Sequence, residues 1–378
     1  MARGLSYPSL TKVLERLETN KKSRSTACGL SYPSLTKVLE RLEANKRSRL
    51  VAYSPYFQHF DRKIPLHVDH LSFDDHKITV NDISFHFVTR EMILSREKVK
   101  ARRELTPRHI ELNQVNPIVH DEVHHVDYYF KDAWIGATRL PEGMSLVMAM
   151  KKLACHFFEK RKDIKVRELR ILCTNNVLSL PAGAKFKITE FDIAKNNLNV
   201  LEPLIHPSSL PLKVLKLGRW RDEYHENAVV ETVETLILHA SLDVVHLLTN
   251  IRNQCIKVEG ADIPKTGITR LVRSIKENGR KVGSTLTVWA NDWESTRSVM
   301  WPSDDRQMYR LIYILKKIFN GKWVTSQEVG ETLTTTDIMC IGLDEKSEIL
   351  IYGIKENGPR VKIQVVPIGS SIPIPDRE

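Results

Sequence analysis

The stretch ITEFDIAKNNLNVL, residues 188–201, is followed by VLKL at 214–217, and each holds one short run of alternating apolar residues. Similar runs recur along the chain: LRIL at 169–172, FDI at 191–193, TLIL at 235–238, IKV at 256–258 and LTV at 286–288. Alternation with a period of two marks a strand with one face buried. Between several of these runs the period becomes helical, as in LDVVHLLTNIRN at 242–253 and TRLVRSIKENG at 269–279. Strands about 20 to 30 residues apart, joined by helices or irregular turns, predict repeated units that bury their apolar sides against their neighbours.

The segment 188–201 resembles a leucine-rich repeat, so 166–335 reads as a leucine-rich-repeat-like horseshoe. Because the asparagines do not recur regularly, an ordinary α/β domain with parallel strands stands beside that reading. Working outward, RQMYRLIYILKKIF at 306–319 is a helix, and DIMCIGL, EILIYGI and RVKIQVVPI are strands separated by the turns DEKS and KENGP. They predict an antiparallel meander over 336–369 that caps the stack, followed by a flexible tail at 370–378. In the other direction, Pro141 leads into SLVMAMKKLACHFFEKR, a helix with Leu146, Met150, Leu153 and Phe157 on its buried face. Before it, LHVDHLSF, HKITVND and ISFHFV predict three short strands, so that 65–165 is β-rich and then helical. Residues 90–108, with REKVKARRE inside, read as a solvated helix or linker, with a nucleic-acid contact as the lesser alternative.

With 378 residues the chain exceeds one ordinary core and predicts two or three packed units or an elongated stack. Its 42% hydrophobic and 27% charged residues are globular values and argue against extended disorder. The five cysteines, Cys28, Cys155, Cys173, Cys255 and Cys340, form no CxxC pair, which points to a reducing, intracellular setting. The amino terminus lacks an apolar core of secretory length, and no stretch approaches the roughly 20 apolar residues of a membrane span. The net charge of +11 is concentrated in residues 1–50, with eleven Lys and Arg against four Glu. A basic end attracts nucleic acid or an acidic protein partner, but nothing here resembles a zinc finger, a homeodomain, a KH loop or the aromatic RNP pattern, and base readout needs more than charge, so nucleic acid is not the expected partner.

Residues 4–24 and 29–49 are near-identical copies, GLSYPSLTKVLERLETNKKSR and GLSYPSLTKVLERLEANKRSR, differing only at Thr19/Ala44 and Lys22/Arg47. So little divergence indicates a recent duplication, since surface positions vary freely. Each copy is an amphipathic helix: Leu35, Val38, Leu39 and Leu42 form one stripe in the second, and Leu10, Val13, Leu14 and Leu17 in the first. Ser31 as N-cap and Pro33 in the first turn mark the start. Such a stripe either packs on the chain's own body or meets a partner, and a body with one groove leaves one copy spare.

From Pro33 onward the spacing Pro33, Leu35, Val38, Leu39, Leu42, then Leu50, Tyr53 and Phe57, resembles the F-box. It departs from that pattern at Tyr32, where leucine is usual, at the polar run Lys46, Arg47, Ser48, and at Phe57, where tryptophan is usual. Running into SPYFQHFDRKIPLHVDHLSF, the segment is similar to the large nematode family of F-box and F-box-associated proteins, in which such an opening precedes an uncharacterised domain. The resemblance implies a non-enzymatic adaptor. Pro33, Leu35, Val38, Leu39, Leu42, Leu50 and Phe57 would face a Skp-type subunit of a cullin-RING ubiquitin ligase, and the rest would hold an unknown protein substrate, with no cofactor. It implies an α/β fold: a short F-box-like helical segment at 29–64, preceded by the duplicated helix at 1–28, then the stack and the meander. A protein-binding module without ligase contact is the alternative, and a metal-dependent enzyme a remote one.

No GxGxxG, GxxxxGK[ST], GxSxG or HExxH occurs. His120 and His124 could share a helical face as metal ligands, yet Val119, Val123 and Val126 beside Tyr128 and Tyr129 suit a polar edge strand, which sends His124 and His125 to opposite faces. His67 and His70, beside Asp69, read the same way.

Overall fold

A computed structural model of the protein describes residues 32–52, 55–93, 120–161, 163–174, 178–194, 196–239, 244–260, 263, 265–289, 304–326, 338–355 and 359–373. The fold is α/β, and the chain divides into two compact units, Met1–Ile188 with Glu202–His206 and Thr189–Leu201 with Pro207–Glu378. Among the described residues no helix is long and apolar enough to cross a membrane.

Among the described residues the first unit starts with three short helices, α1 (Tyr32–Arg41), α2 (Ala44–Ala52) and α3 (Pro55–Asp61). Strands β1 (Leu66–Asp74), β2 (Lys77–Val80) and β3 (Ile83–Ile93) follow where the alternation places them. The β2–β3 turn is tight because Asn81 takes φ 52°, a left-handed conformation its short polar side chain tolerates. The predicted charged linker begins inside β3, and residues 94–108 lie outside the described residues. Strands β4 (His120–Phe130) and β5 (Ala133–Arg139) extend the sheet antiparallel. Helix α4 (Leu146–Phe158) then starts at Ser145, whose hydroxyl accepts from the Met148 N–H, and β6 (Ile164–Ile171) returns parallel to β1. The order is β6-β1-β2-β3-β4-β5.

The buried face of α4 is Ala149, Met150, Ala154, Phe157 and Phe158, whereas Leu146 and Leu153, expected there, are half-buried. The stripe is rotated because the phenylalanines carry the packing. Phe157 meets Phe85 at 6.2 Å, and Phe158 meets Phe73 at 6.4 Å and Phe186 at 5.5 Å.

In the second unit β7 (Lys187–Asp192), β8 (Val214–Leu217), β9 (Thr235–His239), β10 (Cys255–Glu259) and β11 (Thr285–Trp289) lie side by side in chain order, all parallel. One row crosses all five, Phe191, Leu215, Leu236, Ile256 and Leu286, and every member is buried. Short helices join the strands: α5 (Leu198–Leu201), α6 (Ala228–Thr232), α7 (Val244–Asn250) and α8 (Lys265–Asn278). Helix α8 begins four residues earlier than its apolar pattern, and buries Ile268, Leu271, Val272 and Ile275. One strand per repeat, stacked in sequence order, is the topology of a solenoid. A doubly wound sheet reverses its strand order instead.

A polar ladder is present but changes residue type along the stack. Asn227 Nδ2 donates to Asn199 Oδ1 at 2.9 Å, Asn253 Nδ2 to the Val230 carbonyl at 2.6 Å, and Arg280 Nη2 to the Leu248 and Ile251 carbonyls at 2.9 and 2.8 Å. Positions 227, 253 and 280 advance by nearly constant steps. An asparagine-only search misses the third rung.

Beyond α9 (Asp304–Phe319) and β12 (Lys322–Ser326), the strands β13 (Ile338–Gly342), β14 (Ser347–Lys355) and β15 (Pro359–Pro367) form the expected meander, and β15 pairs antiparallel with β11. The carboxyl-terminal tail expected to be flexible instead supplies β16 (Ser371–Pro373), which pairs with β12; residues 374–378 lie outside the described residues. This pairing bends the sheet. Four residues from Pro367 to Ser371 reach at most ~14 Å, whereas four flat strand spacings need ~19 Å. The meander therefore curls around the cluster Val324, Ile338, Leu350, Tyr352, Ile354 and Val366.

Candidate functional site

Three helices present the residues expected to meet a partner, and the structure turns the central ones inward. Leu39, Leu42 and Leu50 are buried in one cluster with Ile64, and Val38 packs against it half-buried. Leu39, Leu42 and Leu50 thus face inward where an outward face was expected, and Val38 is only partly covered. Leu39 and Leu42 on α1 close over Leu50 on α2 and the Ile64 turn, which removes four aliphatic side chains from water. Pro33 and Leu35 lie in α1 and Phe57 in α3, and their side chains are outside the described residues.

The polar run that departs from the F-box pattern is the anchor of α2. Arg47, 1% exposed, donates from Nε to Asp61 Oδ1, from Nη1 to the Pro65 carbonyl at 2.7 Å, and from Nη2 to the Asp61 and Ile64 carbonyls at 2.9 Å each. The other carboxylate oxygen of Asp61 accepts from Arg161 Nη2, and Arg161 also reaches the Asp61 carbonyl at 2.8 Å and the Phe157 carbonyl at 2.6 Å. One carboxylate thus holds two buried guanidiniums. Burial lowers the pKa of Arg161, against the pull of Asp61. On the other side of α2, Asn45 Nδ2 donates to the Val80 carbonyl at 2.6 Å, and Glu43 Oε1 accepts from Asn81 Nδ2 at 2.5 Å.

This geometry distinguishes the two copies. Their two differences fall on Ala44 and Arg47, each 1% exposed. The first copy offers Thr19 where Ala44 is enclosed, and Lys22 where a forked guanidinium makes four bonds. A lysine has one nitrogen and no fork, and a threonine adds a hydroxyl with no room. The seat is matched to the second copy. Residues 1–31 lie outside the described residues.

Beside the seat is a cleft of about 430 Å³ between α2, α3 and α4. Val51, Met148 and Cys155 supply its apolar wall, and Arg62, Lys151, Lys152 and Arg161 face two carboxylates, Asp61 and Glu159. Arg161 is committed to Asp61, and Glu159 meets Lys160 at 3.7 Å. Arg62, Lys151 and Lys152 are exposed and make no ion pair among the described residues. His156, also in the lining, bonds through Nε2 to Ser48 Oγ at 2.7 Å. Burial first, then Arg161 and Arg62, hold its pKa below the ordinary histidine value, while Asp61 opposes them.

The histidines near 120 lie on a strand. His124 Nδ1 meets Thr89 Oγ1 at 3.0 Å and its neighbour His125 points to the other face of β4; the His120 side chain is outside the described residues. His70 Nδ1 lies 3.2 Å from Glu168 Oε2, and His67 is held below its ordinary pKa by burial and by Lys165.

No curated protein and no solved structure matches the chain. Residues 145–291 match the family model described as a domain of unknown function, DUF3557, a span that begins at the N-cap of α4 and ends just past β11. In this chain the matched span follows an N-terminal segment.

Proposed function

We propose that the chain is a non-enzymatic recognition adaptor: the parallel stack holds a protein ligand, and the three-helix segment at 32–61 joins a Skp-type subunit of a cullin-RING ubiquitin ligase. The observation that carries this reading is the succession α1, α2, α3 across the span that resembles the F-box, ahead of a stack with one strand per repeat. Since Leu39 is in the core, a charge there tests folding instead of contact. The informative changes are on the exposed side of α1, at Lys37, Glu40 and Arg41. Purified protein is expected to capture a Skp subunit, Lys37→Glu/Glu40→Lys/Arg41→Glu to lose it at unchanged Tm, and removal of residues 1–28 to leave it intact. Equal capture by wild type and the triple variant, or none by either, sinks the ligase contact.

A second reading, a protein-binding module without a ligase contact, is favoured by the burial of Leu39, Leu42 and Leu50 in the unit's own cluster. It predicts a stable complex with another protein while Skp capture stays at background.

A further inference from the structure

We propose that the cleft beside α2 binds a phosphorylated side chain of a partner polypeptide. Its lining carries four cations against two carboxylates, an excess of two positive charges. Arg161 is fixed on Asp61, so the excess resides on Arg62, Lys151 and Lys152, which are exposed and lack ion-pair partners among the described residues.

Charge and size together select the ligand. A phosphomonoester carries about −1.5 to −2 charges near neutral pH and three acceptor oxygens, which matches an excess of two and three separate donors. A lone carboxylate matches neither. A volume of about 430 Å³ is in the range of ligand clefts, ~300 to 1,000 Å³, and leaves room for flanking residues against Val51 and Met148. That the carrier is a polypeptide rests on the reading of the chain as a protein-recognition adaptor, to which the cleft adds a contact outside the parallel stack; the anion chemistry rests on the cleft alone.

The test uses the full chain and three fluorescein-labelled peptides, Ala-Ala-Xaa-Ala-Ala with Xaa as phosphoserine, serine or Asp-Asp, followed by anisotropy at fixed ionic strength. The phosphopeptide is expected to bind at least ten-fold more tightly than the serine peptide. Lys151→Glu/Lys152→Glu is expected to abolish that preference at unchanged Tm, while Lys281→Glu, an exposed lysine of the other unit, preserves it. Three results overturn the proposal: equal binding of phosphoserine and serine peptides, equal binding of the Asp-Asp peptide, or an equal loss in Lys281→Glu. Skp capture scored on the same preparations separates the readings. A wild type that prefers phosphopeptide but captures no Skp subunit loses only the ligase contact.

Discussion

At the scale of single residues, Arg47 shows how periodicity and environment part company. The leucine stripe of α1 was legible because apolar residues recurred at helical spacing, but periodicity identifies an apolar face without saying what covers it. Lys46, Arg47 and Ser48 read as a polar departure from the F-box pattern, yet Arg47 is among the largest fully buried side chains. Only Asp61 and the carbonyls of Ile64 and Pro65, brought in by the turn after α3, make that burial possible. Arg47→Lys keeps the charge and loses the fork. It is expected to cost about 3–5 kcal/mol in urea unfolding, as for a broken buried pair. Ala44→Thr overpacks its site and is expected to cost about 1–3 kcal/mol. Leu39→Ala is expected to lose about 2–5 kcal/mol by leaving a cavity in the cluster with Leu42, Leu50 and Ile64.

At the scale of elements, strands were more legible than helices. A strand needs only four or five alternating residues, and β8 through β11 fall within a residue of their apolar runs. The connecting helices are short, so their ends are fixed by contacts to neighbouring repeats, which local sequence does not encode. The rung at Asn253 shows such a contact. Asn253→Ala strands the buried Val230 carbonyl and is expected to cost about 1–3 kcal/mol by thermal unfolding, with α6 exchanging its amides faster. Gly218 is a second constraint, set by close approach: a Cβ there would lie 1.9 Å from the Ala194 carbonyl oxygen. Gly218→Ala therefore forces the backbone after β8 to move, and lowered Tm with little soluble yield is the expected outcome. The cleft was not legible at all, because its cations come from the residue after α3 and from α4 and the turn beyond it, about 90 residues apart in the chain.

For the whole molecule, acid is a sharper stress than the net charge suggests. His67, His86 and His156 all have pKa values held below the ordinary histidine value, burial being the largest cause in each. The unfolded chain then binds protons more readily, so their contribution is complete above the unfolded value of 6.5 and is lost as the pH falls through the lowered folded values. Tm is expected to drop between about pH 7 and pH 5, and His156→Gln to flatten that slope. By contrast, the Cys173 thiol, pushed up to about 11 by burial and by Asp75 and Asp74, stays protonated and is expected to resist iodoacetamide until the protein unfolds. The antiparallel pairing of β15 with β11 has a consequence for how such a chain changes length. After β11 the next hydrogen-bonding partner runs the opposite way, so a further parallel repeat has no place to add at that end. New repeats can enter only between β7 and β11, where each arrives with its own strand and rung. A lineage can thus lengthen or shorten its parallel sheet in whole-repeat steps while the closing strands remain as they are.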